Sequence, residues 1–131
     1  MATAHDAEFE RAVATHFEPL CTELQLAIVA RESAWPEAFA EARGPGLRLR
    51  LESDHHILSL AVAAPSGSER FWHVDSFAML LGHPDRTGLG GRLRLSLEAQ
   101  KQFVRANTAR IAGLLAPRDL AATEARLRAL T

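Results

Sequence analysis

The chain has 131 residues, of which 47% are hydrophobic and 24% charged, and its 15 basic and 16 acidic residues give a formal net charge of −1. This length and composition fit one globular domain over residues 1–131. No apolar run approaches the roughly 18 residues of a membrane-spanning helix, and the start MATAHDAEFE lacks the regions of a signal peptide, so we expect a soluble cytoplasmic protein without a membrane partner.

Charge is distributed unevenly along the chain. Residues 1–42 hold eight acids and two bases, whereas residues 43–131 hold eight acids and thirteen bases. Either oppositely charged helices complement each other across the fold, or one side of the molecule is a polar binding surface. The isoelectric point near 6.6 and the lack of aromatic residues among the arginines argue against nucleic acid as a partner.

The N-terminal segment predicts an amphipathic helix. From Asp6, a candidate N-cap, apolar residues recur at three- and four-residue spacing as far as Leu24. Pro19 lies inside this pattern and must kink the helix or start a new one, because it has no amide hydrogen. His16 and Cys21 lie on the apolar stripe, where we expect packed side chains; a functional His16 is the alternative. The single cysteine excludes an internal disulfide within one chain.

Residues 26–46 contain a strand, a helix and a break. The β-branched segment LAIVAR, residues 26–31, favours a strand, although it could also continue the preceding helix. Trp35 and Pro36 then introduce PEAFAEAR, residues 36–43. Proline in a first turn and Gly44 just past the end predict a short helix there.

Residues 47–82 predict an antiparallel meander. Leu47, Leu49 and Leu51 alternate with charged residues, which indicates a half-buried strand. Two further runs of strand character follow, one through Leu60 and one through Trp72. The turns between the three runs are rich in residues that favour chain reversal, at positions 53–54 and 65–68.

Helices dominate the C-terminal part. Asp75 is the predicted N-cap of a helix over residues 76–81, and Ser96 caps a long helix over residues 97–116, whose apolar stripe is interrupted by Gln100 and Asn107. These two are either buried hydrogen-bonding residues or a sign that the face meets water or a partner. Asp119 caps a last helix over residues 120–130, which is too sparsely apolar to fold alone.

The predicted fold is therefore α+β. We expect an antiparallel β-meander of three to five strands, with an N-terminal amphipathic helix and C-terminal helices packed on one face. Residues 92–95 repeat the alternation of leucine and arginine seen in LRLR of the first strand and are a candidate additional strand.

Histidines are the first candidates for metal or acid–base chemistry. If the turn over residues 65–68 closes a hairpin that sets His73 opposite Leu60, then His56 lies about 13 Å from His73 along the sheet, too far to share an ion. Asp75 would come closer to His56. A small metal- or acid/base-dependent enzyme that uses His56 and Asp75, together with His73, is thus an alternative function.

Other chemistries lack their motifs. The glycine-rich loop over residues 87–92 has no third glycine of a dinucleotide fingerprint and no lysine of a P-loop. Ser66 and Ser68 lie outside any GxSxG motif, and Cys21 lies on an apolar stripe. We expect no cofactor and no bound metal.

The favoured function is a protein-binding module. Its expected anchors are Phe71 and Trp72 with Arg70 and His73, because aromatic and arginine residues dominate binding hot spots; core packing is the alternative for Trp72. In size and layout the chain resembles small bacterial immunity proteins and the chaperones of secretion effectors, which implies binding that neutralises or protects a partner protein. An edge strand or the last helix would also allow a homodimer.

Overall fold

The computed structural model describes residues 4–66, 70–82 and 95–130. Five strands form one antiparallel sheet in which each strand pairs with the next one along the chain. The strands are β1 Ala27–Ala34, β2 Glu37–Arg43, β3 Arg48–Asp54, β4 Ile57–Ala63 and β5 Trp72–His73, and the helices are α1 Ala4–Ala12, α2 Glu18–Leu24, α3 Val74–Leu80, α4 Leu97–Leu114 and α5 Leu120–Leu130. The predicted α+β class with an antiparallel meander is confirmed.

The N-terminal helix is interrupted where the sequence predicts it. A π-helical turn over Val13–Phe17 joins α1 to α2, and Pro19 is the second residue of α2. Because Pro19 has no amide hydrogen to donate to the preceding turn, the widened π-helical turn accommodates the missing hydrogen bond.

One face of the sheet forms the core with the helices. Alternate residues of the three central strands are buried on that face, where they join phenylalanines of the helices in one apolar cluster. From the sheet these are Ala38, Ala40, Ala42, Leu49, Leu51, Leu60 and Val62, and from the helices Phe9, Phe17, Phe77 and Phe103. The leucine alternation that predicts the first strand of the meander is therefore the alternation that builds the core.

The prediction of a helix over residues 36–43 is wrong, because these residues form β2. Ala38, Ala40 and Ala42 are buried on the core face, whereas Phe39, Glu41 and Arg43 lie on the other face, where Glu41 is also buried. Pairing with β1 and β3 on both sides outweighs the helix propensity of alanine and glutamate. The preference for a strand over a helix at residues 26–31 is confirmed by β1.

The last strand is short, and the side chain of Gln100 accepts a hydrogen bond from β4 where β5 no longer pairs with it. Only Ala61 and Val62 of β4 pair with β5, and His73 lies opposite Ala61 rather than Leu60, so the expected register is wrong by one residue. Beyond the reach of β5, the amide of Leu60 donates to Gln100 Oε1 at 2.7 Å. Gln100 is buried and its Nε2 donates to Leu95 O at 2.9 Å. Gln100 is therefore a buried hydrogen-bonding residue and not a sign that this face of α4 meets water or a partner.

The C-terminal helices lie close to their predicted positions. Ser96 Oγ accepts from Ala99 N at 3.1 Å and caps α4, and α5 spans the predicted residues with Leu127 fully buried against the body. Helix α3 begins at Val74 with His73 as its N-cap, so the prediction of Asp75 as the cap is wrong. The predicted turn over residues 65–68, the glycine-rich loop and the strand over residues 92–95 fall wholly or partly outside the described residues.

Acidic and basic elements complement each other within the fold. Arg105 of α4 is paired with Glu23 of α2, and Arg31 of β1 with Glu10 and Glu18 of the N-terminal helices. Within the three described ranges, no helix has the length and apolarity needed to cross a membrane.

Candidate functional site

The structure places Trp72 in the core rather than on the surface. Its side chain is 3% exposed, and its indole Nε1 donates to Glu124 Oε2 at 3.1 Å, which ties α5 to the sheet. The guanidinium of Arg70 lies 4.0 Å from the Trp72 ring and that of Arg128 lies 5.9 Å from it. Trp72 therefore packs in the core, which was the alternative to a role as a binding anchor.

The two residues that flank Trp72 in the chain lie in different environments. Phe71 is half-buried on the face of the sheet opposite the helices, where Arg50 lies 4.2 Å and Arg48 lies 5.0 Å from its ring. His73 is exposed at the short strand β5. The four expected anchors therefore do not form one exposed surface.

The residues of the alternative enzyme site are held by separate partners. His56 Nδ1 lies 3.2 Å from Glu8 Oε2 of α1, and Asp75 Oδ1 accepts from Leu95 N at 3.2 Å. His73 lies opposite Ala61, which is five residues beyond His56 and so about 16 Å away along the strand. The described ranges contain no group of three or more metal-ligating side chains that could hold an ion.

The thiol of Cys21 is in an environment that disfavours reactivity. Its side chain is buried in the core, and burial, with a smaller contribution from the carboxylate of Glu18, raises the pKa of its thiol to about 12. Because the thiolate is the nucleophilic form, Cys21 is a packing residue.

Two turns at one end of the sheet form an exposed aromatic surface. The turn between β1 and β2 contains Trp35, and the turn between β3 and β4 contains His55 and His56. The Trp35 ring lies 5.6 Å from the His55 ring and 4.8 Å from the His56 ring, measured between centroids. Trp35 is 54% exposed and Ile57, which follows His56 in the chain, is 73% exposed, more than any other large hydrophobic residue that the structure describes. We call these four residues the turn patch.

The turn patch is held in place by specific contacts. The backbone amide of His55 donates to the carbonyl oxygen of Pro36 at 2.9 Å and joins the two turns. His55 Nδ1 lies 2.6 Å from Asp54 Oδ1, while His56 contacts Glu8. The backbone hydrogen bond joins the two turns, whereas the two side-chain pairs are exposed and stabilise the imidazoles beside Trp35 only weakly.

The backbone of this hairpin turn is strained. His55 has φ 50° and His56 has φ 69°, the left-handed region that two-residue hairpin turns usually reserve for Asn-Gly or Asp-Gly. A side chain with a β-carbon costs about 1–2 kcal/mol there. Such strain is characteristic of functional positions, although strain alone does not name the function.

Half of the face opposite the helices is closed by a polar network. Glu41 is buried and accepts hydrogen bonds from Arg50 at 2.8 Å and Arg43 at 3.2 Å. Burial of the Glu41 carboxylate raises its pKa, but the hydrogen bonds and charges of the two guanidinium groups outweigh burial and hold the pKa below its usual value. Arg50 also lies 4.4 Å from the Phe39 ring, which links this network to the open half.

The other half of this face is open. A cavity of about 450 Å³ lies over β1, β2 and β3 at the end that carries the turn patch. Its lining contains four carboxylates, one guanidinium and the ring of Phe39. The lining residues are Glu32, Ala34, Glu37, Ala38, Phe39, Arg50, Glu52, Ser53 and Asp54.

Sequence reasoning missed the turn patch because it assigned Trp35 to the start of a helix. The signal that could have found it is the pattern around His55 and His56. Two polar residues between alternating strands indicate a two-residue hairpin, whose tip projects its side chains into solvent.

Compared with known proteins, the chain matches no family model, no curated protein and no solved structure.

Proposed function

We propose that the protein is a protein-binding module and that the turn patch is its contact surface. The observation that carries this proposal is the joint exposure of Trp35, in one turn, and Ile57, directly after the other, where a backbone hydrogen bond joins the two turns. Large hydrophobic residues that stay exposed on a fixed scaffold are typical of protein interfaces, and tryptophan is enriched among their hot spots.

The proposed surface differs from the one expected on sequence grounds. Trp72 is not exposed, so the proposal keeps the function and moves the aromatic anchor to Trp35. Neutralisation or protection of the bound partner, as the outline of the chain suggests, is the more specific form of the same proposal. The enzyme alternative has no comparable support, since His56 and Asp75 bond to different elements.

The unpaired edge of β1 supports a homodimer less well than the turn patch supports binding of a partner protein. All eight residues of β1 are exposed, but a bulge between Ile28 and Ala30 and the charged side chains of Arg31 and Glu32 interrupt the edge. Bulges and charges are the features by which proteins prevent edge-to-edge pairing. A homodimer through this edge would show twice the monomer mass in light scattering.

The test is capture of the partner by matched variants from the cells that produce the protein. The tagged wild type is compared with Trp35→Ala/Ile57→Ser and with the control Val29→Ser, which removes a residue 52% exposed outside the turn patch. We expect a stoichiometric protein with the wild type and the control, and its loss with the double variant. Retention by the double variant, equal loss with the control, or no partner for the wild type would contradict the proposal.

A further inference from the structure

The open half of the sheet face continues directly from the turn patch. Ala34 and Asp54 line the cavity, and the next residues along the chain are Trp35 and His55. A partner that contacts the turn patch therefore lies within reach of the cavity, and the inference below rests on the function proposed above.

The electrostatics of the cavity select the partner's chemistry. Glu32, Glu37, Glu52 and Asp54 line it, against the single guanidinium of Arg50. Arg50 is shared between Glu41 at 2.8 Å and Glu52 at 3.9 Å, and Asp54 contacts His55, so carboxylates still outnumber cations around the cavity. Glu37 lies directly opposite Asp54 in the strand register, an arrangement of like charges that destabilises a sheet. A cationic occupant would relieve this repulsion, whereas an anion or a nucleic acid would be repelled.

An aromatic ring lies between the carboxylates. In the strand register Phe39 is directly opposite Glu32 on one side and Glu52 on the other. Its ring already has the protein's own Arg50 guanidinium 4.4 Å from its centroid, so an incoming cation would have to share the Phe39 ring with Arg50. A half-buried phenylalanine flanked by carboxylates combines cation–π attraction with charge-assisted hydrogen bonding.

We propose that this open sheet face receives a basic segment of the partner protein, with an arginine or lysine side chain in the 450 Å³ cavity beside Phe39. Shape and charge act together here: the cavity gives room for a long side chain, and the carboxylates select a cation. The turn patch supplies the apolar part of the same contact.

The test uses a defined probe, the peptide acetyl-(Gly-Arg)₃-amide, with the glutamine and glutamate analogues as controls. The ¹⁵N-labelled protein is titrated with each peptide and followed by NMR. We expect binding of the arginine peptide alone, with the largest amide shifts at Phe39 and Ser53. Absence of binding at millimolar peptide, or shifts confined to the helices, would overturn the proposal.

Two double variants that change the net charge equally distinguish peptide binding in the cavity from general electrostatic attraction to the protein. Glu37→Gln/Glu52→Gln removes two carboxylates of the cavity, and Glu23→Gln/Glu98→Gln removes two on the helices. We expect the cavity variant to weaken peptide binding about fivefold and the helix variant less than twofold, from ordinary exposed ion-pair strengths. Equal weakening in both variants would overturn the proposal.

The two proposals fail separately. Trp35→Ala/Ile57→Ser leaves the cavity intact and should bind the arginine peptide like the wild type. If partner capture depends on the turn patch but the peptide does not bind the cavity, only the cavity proposal is rejected. If the peptide binds the cavity but the turn-patch variant still captures the partner, only the turn patch is rejected as the contact surface.

Discussion

Replacing the strained turn residues should stabilise the protein. In His55→Asn/His56→Gly, the two left-handed positions would hold the residues that a type I′ hairpin turn prefers. Relief of backbone strain contributes about 1 kcal/mol at each position, because glycine has no β-carbon and the short polar side chain of asparagine hydrogen-bonds locally in the left-handed region. Greater freedom of glycine in the unfolded chain offsets about 0.7 kcal/mol. Loss of the exposed contacts to Asp54 and Glu8 offsets about 0.5 kcal/mol more. The net expectation is a gain of about 1 kcal/mol in the free energy of unfolding.

Chemical denaturation and thermal melting measure this gain, which corresponds to roughly 4 °C in Tm for a domain of this size. The matched control is His55→Ala/His56→Ala, which removes the same imidazoles but has neither the freedom of glycine nor the local hydrogen bonding of asparagine at the two left-handed positions. It should show no gain, so the difference between the two variants isolates the backbone effect. An Asn-Gly variant no more stable than the wild type, or an Ala-Ala variant equally stabilised, would refute the reasoning. Both variants should bind the partner more weakly, because both remove the imidazoles beside Trp35.

Three further predictions concern the core and its polar groups. Glu41→Gln should lower the free energy of unfolding by about 2 kcal/mol, because it removes the buried carboxylate that accepts hydrogen bonds from the half-buried Arg50 and the exposed Arg43. The folded-state pKa of Glu41 is lowered from 4.5, so its contribution is complete above pH 4.5 and is lost as the pH falls through the folded-state pKa. The stability difference between wild type and variant, measured by denaturation at several pH values, should shrink on acidification; a constant difference would contradict this. Gln100→Leu should lower the free energy of unfolding by about 1–3 kcal/mol because the Leu60 amide loses its acceptor, whereas the exposed Gln102→Leu should change it by less than about 0.5 kcal/mol. Equal denaturation midpoints for these two variants would show that the Gln100 hydrogen bond does not stabilise β4. Cys21 should not react with a thiol reagent in the folded protein at pH 8 but should react in denaturant, since burial raises its pKa to about 12; rapid reaction of the folded protein would contradict the burial.

The sequence predicted the elements whose pattern is local. The leucine alternation of β3, the Ser96 cap and the bounds of α5 all follow from residues close together in the chain. Strand β2 was mispredicted because its alanine-rich sequence favours a helix in isolation. Its strand form is determined by pairing on both sides, which no local pattern reports.

The candidate site was harder to predict for the same physical reason. Exposure of Trp35 depends on a turn between two strands, one of which was taken for a helix. Its contact with His55 and His56 depends on the register that brings both turns to one end of the sheet. Trp72 looked equally suitable as an anchor, but its burial depends on the docking of α5 and on Glu124, 52 residues further along the chain.

Amide hydrogen exchange of the protein, free and bound to its captured partner, tests the central claim most directly. The account predicts slower exchange on binding at Trp35, His55 and Ile57, with little change at Val29, which is exposed outside the turn patch. Protection confined to the helices, or to β1 around Val29, would contradict the claim that the turn patch is the contact surface.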